Sequence, residues 1–247
     1  MSWTILGDCV AGTSHLTRNL PCQDACRFGT FGADADWLIL VAADGAGSSS
    51  HSQVGASLAC EEMVKRAQAL SPESLFESAR VTQLFAEVRD GLIAEAQRLD
   101  LGLRDLACTV LLALVGPSSA MFAQIGDGAI VISDGQELRV VFWPEPGEYA
   151  NATDFLSDDS FAQKVRSEAF NGKVIEVAVL TDGLQRLALD FATRAVFPGF
   201  FQPIFQALRS TSDAPSLAGP LRDFLGSPRV NERTDDDKTL VLALRNP

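Results

Sequence analysis

Short runs of apolar residues, separated by polar turns, are the main pattern of this chain. The clearest runs are WLILVAA at residues 37–43 and VLLALV within residues 108–116, and both are continuously apolar rather than alternating. A strand that is covered on both faces has this pattern. We therefore predict sheets that are buried on both sides. The predicted strands span residues 3–13, 25–31, 37–43, 108–116, 119–127, 128–135, 137–142, 173–181 and 239–244.

Helical periodicity marks two long segments and a C-terminal region. Apolar residues recur at helical spacing through residues 52–70, after the polar loop GAGSSSHS. A second helix is predicted from Ser71 to about Leu99, because a serine can cap a helix and the proline after it suits the first turn. After Asp182 the chain is predicted to be mostly helical through Leu225.

The order of these elements predicts the fold class. The strand candidates between residues 108 and 142 are joined by the short turns Gly-Pro-Ser, Gly-Asp-Gly and Ser-Asp-Gly, which we expect to link neighbouring antiparallel strands. Strands and helices do not alternate as a parallel sheet requires. We expect an α+β fold, a four-layer α/β/β/α sandwich in which two antiparallel sheets face each other between outer helices.

One domain is expected to include the whole chain, residues 1–247. No repeat, low-complexity stretch or linker divides it, and a hydrophobic content of 47% is ample for one packed core. The segment 144–172 is predicted as a loop excursion, because Pro144, Pro146 and Gly147 interrupt its start. Such a loop could form a flap or rim that selects substrates, or it could be a packed structural loop.

Three aspartates stand at the ends of apolar strand candidates, and each is followed by glycine: Asp44, Asp127 and Asp182. A fourth acidic cluster, residues 235–237, opens the last strand. Strand ends hold side chains rigidly, and glycine allows a ligand to approach closely. The pattern indicates a metal site made of oxygen ligands.

Each Asp-Gly pair on its own is also typical of a tight turn. Asp127-Gly128 is the best candidate for an ordinary hairpin, whereas Asp44 and Asp182 precede helix-like sequence rather than a return strand. Buried carboxylates without a cation would carry several kcal/mol of desolvation cost per ion. This cost favours the metal interpretation for the set as a whole.

Charge and targeting signals exclude some classes of function. A net charge of −12 argues against a broad nucleic-acid surface, which needs clustered lysine and arginine. The start of the chain has no basic region followed by a long apolar stretch, and no apolar run is long enough to cross a bilayer, so we expect a cytoplasmic protein without a membrane partner.

The cysteine and histidine content gives no zinc or nucleophile motif. The five cysteines are an odd number, and we expect them to be reduced thiols. His15, Cys22 and Cys26 lack the spacing of a common zinc motif and a fourth ligand. His51 is interpreted as a polar residue near a helix start, because no serine or cysteine nucleophile pairs with it at a recognisable spacing.

Taken in order, these motifs resemble the metal-dependent protein serine/threonine phosphatases of the PP2C family, specifically its compact bacterial branch. The matching stretches are GTSHLTRNLPCQDA (12–25), VAADGAGSSSHSQVGA (41–56), CTVLLALV (108–115), AQIGDGAIV (123–131), GEYANATDFL (147–156), LTDGL (180–184) and DDDKTLVLAL (235–244). The resemblance implies the same four-layer sandwich and the hydrolysis of phosphoserine or phosphothreonine. It implies two catalytic Mn²⁺ or Mg²⁺ ions and a weaker third one.

The resemblance also implies a role for each acidic residue. Asp44 resembles the aspartate that bridges the two catalytic metals, and the Gly45 carbonyl would be a further ligand. Asp182 resembles the second-metal aspartate. Asp236 is chosen from its acidic cluster because it stands three residues before Thr239, as in the family's Asp-Asn-x-Thr.

Two further acids belong to the implied metal site. Asp24 corresponds to the acidic pair near the first strand, which holds a metal mostly through water; Gln23 takes the place of a frequent glutamate. Asp127 resembles the ligand of the weaker third metal, which it shares with Asp182.

Two positions depart from the family pattern. The histidine proposed as a general acid in some members is replaced by Ala46. The arginine that holds the substrate phosphate would fall at Asn19, five residues before Asp24, and Arg18 is one step away. Arg18 is therefore either the phosphate-binding residue or an exposed surface arginine.

The function that this resemblance implies is hydrolysis by a hydroxide shared between two cations, which need to lie roughly 3.5–4 Å apart. The expected partners are a phosphorylated protein substrate and a cognate serine/threonine kinase, and we expect a monomer. Two alternatives remain open: a binding or sensor module with the same fold but weak catalysis, and a two-metal hydrolase of small phosphoesters. No nucleotide-binding GxxxxGK[ST] motif supports the second alternative.

Overall fold

The computed structural model describes residues 2–144 and 153–246. The motif residues Tyr149 and Asn151 lie outside the described residues, as does most of GEYANATDFL. The strands are β1 (Trp3–Val10), β2 (Ala25–Phe31), β3 (Trp37–Ala43), β4 (Val110–Val115), β5 (Ser119–Ile125), β6 (Ala129–Ser133), β7 (Leu138–Val140), β8 (Arg166–Asn171), β9 (Glu176–Leu180), β10 (Leu189–Asp190), β11 (Ala195–Val196) and β12 (Lys238–Arg245).

The helices surround these strands. They are α1 (Thr13–Thr17), α2 (Ser52–Gln68), α3 (Ser78–Arg98), α4 (Phe161–Lys164), α5 (Gln185–Ala188), α6 (Pro198–Ser210), α7 (Ala218–Leu225) and α8 (Pro228–Asn231), with 3₁₀ turns at Pro72–Phe76, Leu103–Leu106, Asp182–Leu184 and Ala214–Leu217. Within the described ranges, no helix is long and apolar enough to cross a membrane.

Two antiparallel sheets form the centre of the molecule. In the described chain, sheet 1 has the strand order β1-β12-β9-β6-β7, and sheet 2 has the order β2-β3-β4-β5-β8. A short hairpin of β10 and β11 lies apart from them. This is the predicted α/β/β/α sandwich, and the continuous apolar strands explain it, because both faces of each central strand are covered.

Three apolar layers hold the sandwich together. Along β3, the side chains of Leu38, Leu40 and Ala42 belong to the layer between the two sheets, where they meet residues such as Val179 and Val241. The alternate side chains of β3 pack in a second layer with α2 and α3. A third layer lies between sheet 1 and helices α6 and α7. The period-two alternation of a strand therefore places apolar residues in two different layers.

The connection between β5 and β6 is not a hairpin, so the expectation for Asp127-Gly128 was wrong. Strand β5 belongs to sheet 2 and β6 to sheet 1, so residues 126–128 cross from one sheet to the other. Gly126 has a φ of +99°, which favours glycine, and a Cβ atom at Gly128 would lie 2.7 Å from the Leu180 carbonyl oxygen. A short turn can thus join facing sheets as well as paired strands.

The segment predicted as a loop excursion contains regular structure in its second half. Helix α4 begins at Phe161, and β8 pairs with β5 at the edge of sheet 2. The alternation of apolar and polar residues in β8 is weak because the strand is only partly buried. A sequence pattern of this kind does not distinguish an edge strand from a loop.

Candidate metal centre

Three of the sequence-predicted acids meet at one end of the sandwich. Asp44 follows β3 of sheet 2, Asp182 follows β9 of sheet 1, and Asp127 lies in the crossover between the sheets. One carboxylate oxygen from each of the three lies within 4.8 Å of the others. Because the two sheets face each other, Asp44 and Asp182 lie close together although they are 138 positions apart in the sequence.

The glycine after each strand-end aspartate is required by close packing. A Cβ atom at Gly45 would lie 2.7 Å from the Gln23 carbonyl oxygen and 2.9 Å from the Ser52 side chain. A Cβ atom at Gly183 would overlap the Asp237 carbonyl oxygen. These contacts fix the backbone beside Asp44 and Asp182, which places both carboxylates accurately.

Asp24 is the most constrained of the acids. It is 8% exposed, and its Oδ2 accepts hydrogen bonds from the Thr181 hydroxyl at 2.7 Å and the Thr239 hydroxyl at 2.8 Å. Its Oδ1 is buried and has no hydrogen-bond donor in the described chain. A buried, unpartnered carboxylate oxygen next to other carboxylates is a suitable ligand atom for a cation.

The pKa values of the clustered acids are raised. Burial raises the pKa of Asp24 to about 7, although the two threonine hydrogen bonds act in the opposite direction. Burial, with the charges of Asp127, Asp236 and Asp24, raises the pKa of Asp182 to about 7. Burial and the neighbouring charges of Asp24 and Asp182 hold the pKa of Asp44 well above its ordinary value. Burial and the neighbouring negative charges thus oppose ionisation of these acids, and a bound cation would favour it.

Asp127 is held by neutral groups. Thr153 donates its hydroxyl proton to Oδ2 of Asp127 at 2.8 Å, and the Gln185 side-chain amide donates to the Asp127 carbonyl oxygen. Thr153 belongs to the stretch GEYANATDFL (147–156) and lies within the described ranges. This contact gives Thr153 a positioning role that sequence reasoning did not assign.

The acidic cluster at residues 235–237 divides into exposed and buried members. Asp236 is exposed, lies outside the group formed by Asp44, Asp127 and Asp182, and affects that group through its charge on Asp182. Asp237 is 2% exposed and accepts hydrogen bonds from the backbone N–H groups of Gly12 and Gln23 at 2.6 and 2.5 Å.

His15 completes the surroundings of Asp237. Its Nδ1 lies 2.6 Å from Asp237 Oδ1, and the imidazole is 4% exposed. Sequence reasoning considered His15 only as a zinc ligand and missed this pairing. The buried pair anchors the segment that leads to Asp24, because Asp237 also accepts the Gln23 backbone N–H, and it thereby helps to fix the position of the Asp24 carboxylate. No pattern in the sequence distinguishes Asp237 from its two acidic neighbours.

Arg18 is exposed at the end of α1, and its Nε donates a hydrogen bond to the Ser14 carbonyl oxygen at 3.0 Å. In the described chain it pairs with none of the clustered carboxylates. Asn19, which follows it, has a φ of +54° and turns the chain toward Asp24. Ala46 is buried and donates its backbone N–H to Ala107, so its side chain brings no acid to the site.

The sequence profile described as Protein phosphatase 2C matches residues 11–226. The chain belongs to this family. Serine/threonine-protein phosphatase 3 of Escherichia coli (strain K12) is 39% identical over 250 residues, which cover 99% of both chains. The carboxylates described above thus occur in a protein phosphatase 2C.

Solved structures support the same fold. Serine/threonine phosphatase Stp1 from Staphylococcus aureus superposes with a TM-score of 0.65 at 13% identity, covering 100% of this chain and 96% of the other. The catalytic domain of the serine/threonine protein phosphatase PstP, in complex with two manganese ions, has a TM-score of 0.64 at 16% identity, covering 98% and 97%. The sandwich of this phosphatase 2C is therefore shared with distant bacterial members.

Proposed function

We propose that this chain, a serine/threonine phosphatase of the 2C type, hydrolyses phosphoserine and phosphothreonine in proteins with Mn²⁺ or Mg²⁺. The single observation that carries the proposal is the convergence of Asp44, Asp127 and Asp182 within 4.8 Å of one another. Hard divalent cations prefer such oxygen ligands. The raised pKa values of Asp24 and Asp182, each about 7, fit a site whose acids ionise fully only beside a cation.

The proposed metal-binding residues surround Asp44. Burial, and the charges of Asp24, Asp182 and Asp127, raise the pKa of Asp44, so Asp44 lies close enough to all three acids to share cations with them in the proposed site. The proposed ligands are Asp24, Asp44, the Gly45 carbonyl, Asp127, Asp182 and Asp236. Bound divalent cations supply Lewis acidity, which lowers the pKa of water and neutralises charge on a phosphoryl group.

The chain's own residues orient this chemistry. Thr181 and Thr239 fix the Asp24 carboxylate, and Thr153 fixes that of Asp127. Arg18, exposed in the segment before Asp24, is proposed to hold the substrate phosphate through its guanidinium. Ala46 has no ionisable proton to give to the departing serine or threonine oxygen.

The partners follow from the reaction. A phosphorylated protein is the substrate, and a serine/threonine kinase must supply it because the phosphatase only removes phosphate. We propose that the chain acts as a monomer in the cytoplasm, as one domain over residues 1–247, and that residues 144–172 form the rim that selects substrates.

The test is phosphate release from a phosphothreonine peptide by the purified protein. Activity should require added Mn²⁺ or Mg²⁺, disappear with EDTA, and fall by at least about 100-fold in Asp44→Asn and Asp182→Asn. Asp34→Asn, which changes an exposed acid, is the matched control and should keep full activity. Metal-dependent activity that persists in both site variants would contradict the proposal.

The same purified protein separates the alternatives. A binding module would show no Mn²⁺ binding by calorimetry. A hydrolase of small phosphoesters would cleave p-nitrophenyl phosphate with a higher kcat/KM than the phosphopeptide. We expect Mn²⁺ binding and a higher kcat/KM for the peptide.

A further inference from the structure

Two cysteine thiols face each other between the sheets. Cys9 lies on β1 of sheet 1, and Cys26 lies on β2 of sheet 2. Their Sγ atoms are 3.4 Å apart, and both residues are partly exposed. The contact joins positions separated by 17 residues, on strands that share no backbone ladder.

The other three cysteines make different contacts. All five cysteines are free thiols. Cys60 and Cys108 are 0% exposed, and the Cys60 thiol donates to the Ala25 carbonyl oxygen. The Cys22 thiol points to the Asp24 carbonyl oxygen at 3.8 Å. Among the described residues, Cys9 and Cys26 are therefore the pair of cysteines whose sulfur atoms contact each other, and both residues are partly exposed.

We propose that Cys9 and Cys26 are an oxidation site at which hydrogen peroxide forms a reversible disulfide. One thiol sulfur attacks the peroxide O–O bond, which gives a sulfenic acid and releases one water. The second thiol sulfur then forms the S–S bond and displaces the hydroxyl group as a second water. In sum, two thiols and one hydrogen peroxide give one disulfide and two waters, so that the sulfurs lose the two electrons that the peroxide gains.

Disulfide formation would act on the metal centre. A disulfide has an S–S length of about 2.05 Å, so the two sulfurs must approach each other from their 3.4 Å separation. Cys26 is two residues after Asp24, and Cys9 is the register partner of Thr239, whose hydroxyl holds the Asp24 carboxylate. The bond therefore draws β2, which follows Asp24, toward β1, the strand that is paired with β12 and its Thr239.

The consequence is a weaker metal site in the oxidised protein, and this part of the inference rests on the proposed function. If Asp24 moves, the hydrogen bonds from the Thr181 and Thr239 hydroxyls, which orient its carboxylate, are strained or lost. Disturbing such supporting contacts typically lowers metal affinity by roughly 10- to 100-fold. Reduction with dithiothreitol should restore the affinity because the thiols are regenerated.

The first experiment maps the disulfide without reference to activity. The EDTA-treated full chain is exposed to hydrogen peroxide, digested with trypsin without reduction, and analysed by tandem mass spectrometry. Cleavage after Arg18 and Arg27 places Cys9 in peptide 1–18, with Cys22 and Cys26 in peptide 19–27.

We expect fragment ions that join Cys9 to Cys26. The link should persist in Cys22→Ser and be absent from Cys9→Ser and Cys26→Ser. A link that uses Cys22, or oxidation of Cys9 and Cys26 without any link, would overturn the proposal.

The second experiment compares Mn²⁺ binding by calorimetry in the reduced and oxidised protein. We expect a Kd about tenfold higher after oxidation, recovery with dithiothreitol, and no peroxide effect in Cys9→Ser. An unchanged Kd in a fully cross-linked protein would overturn the effect on the metal centre. If the reduced protein binds no Mn²⁺ at all, the proposed function fails, whereas the disulfide is still judged by mass spectrometry.

Discussion

Thr239 donates its hydroxyl proton to Oδ2 of Asp24 at 2.8 Å, although the two residues are 215 positions apart. Thr239 lies near the start of β12 in sheet 1, and Asp24 lies directly before β2 of sheet 2. The Thr181 hydroxyl reaches the same oxygen at 2.7 Å. The two bonds leave Oδ1 of Asp24 turned away from both hydroxyls, which makes it the oxygen available to a ligand.

Thr239→Val should weaken metal binding while preserving the shape of the strand. Valine replaces the hydroxyl with a methyl group, so Asp24 loses one of the two bonds that orient it. We expect the Kd for Mn²⁺ to rise by about 10-fold or more, measured by calorimetry. Thr4→Val, which removes a hydroxyl bonded to Asn246, is the control and should leave the Kd unchanged. Equal Kd values in the two variants would show that the Thr239 hydroxyl does not position Asp24 for metal binding.

The metal-free protein should lose stability as the pH rises from about 4 to about 7. The folded-state pKa values of Asp24 and Asp182, each about 7, lie above their unfolded value of 3.8. Unfolding therefore releases protons in this window, and the stability present below the unfolded pKa is lost as the pH rises through the folded pKa. Urea unfolding of EDTA-treated protein at several pH values measures the slope.

Mn²⁺ should reverse this pH trend, because the cation binds the ionised carboxylates. Binding should release protons at pH 6, which calorimetry detects in buffers with different ionisation enthalpies. The Asp24→Asn, Asp182→Asn double variant should show a flatter pH dependence in the metal-free state. A flat profile in the unmodified protein would contradict the assigned pKa shifts.

Asp44→Asn should make the metal-free protein more stable and the metal-loaded protein inactive. The amide that replaces the carboxyl group carries no charge, so the substitution removes an acid whose burial and acidic neighbours raise its pKa. We expect a gain of about 1–3 kcal/mol in the free energy of unfolding at pH 8. Thermal melts with and without Mn²⁺ should show a higher Tm without metal and a smaller rise with metal. A lower metal-free Tm would show that Asp44 has a stabilising partner.

Gly183→Ala should destabilise the protein, since the new Cβ atom would overlap the Asp237 carbonyl oxygen. Relief of this overlap requires a shift of β12 or of the turn that carries Asp182, and we expect a loss of about 1–3 kcal/mol with weaker Mn²⁺ binding. Gly219→Ala is the matched control, because no atom lies within 4 Å of its added Cβ and the site is helical. That control is exposed and should change the free energy of unfolding by no more than about 0.5 kcal/mol in urea unfolding. Similar losses in both variants would contradict the packing argument.

Arg18→Ala should raise the KM for a phosphopeptide by about tenfold, because charge-assisted hydrogen bonds to phosphate contribute about 1.5–3 kcal/mol. Steady-state kinetics with one peptide at saturating Mn²⁺ measures this change. Arg98→Ala removes another exposed arginine, one that pairs with Glu95, and should leave the KM unaltered. An unaltered KM in Arg18→Ala would show that Arg18 is an exposed arginine that does not bind the substrate phosphate.

The sequence predicted the sheets well because their strands are buried on both faces. The run at 37–43 coincides with β3, Trp37–Ala43, since continuous apolar burial leaves few alternatives. Edge strand β8 was not predicted, because a partly exposed strand has no such pattern. The crossover at residues 126–128 was mistaken for a hairpin, because turn residues specify a local reversal without specifying which sheet receives the next strand.

The site could be predicted in composition but not in arrangement. Strand-end aspartates followed by glycine indicated Asp44, Asp127 and Asp182, and the structure groups these three. The burial of Asp237 and its pairing with His15 depend on tertiary contacts across 222 positions. Local sequence contains no signal for such a contact.

The crossover at residues 126–128 makes the proposed metal centre a property of the assembled molecule. Asp44 comes from one sheet, Asp182 from the other, and Asp127 from the passage between them. Each sheet alone carries only part of the proposed ligand set. During refolding, the protein should therefore bind the cation only after the two sheets have packed against each other and the apolar layer between them has formed.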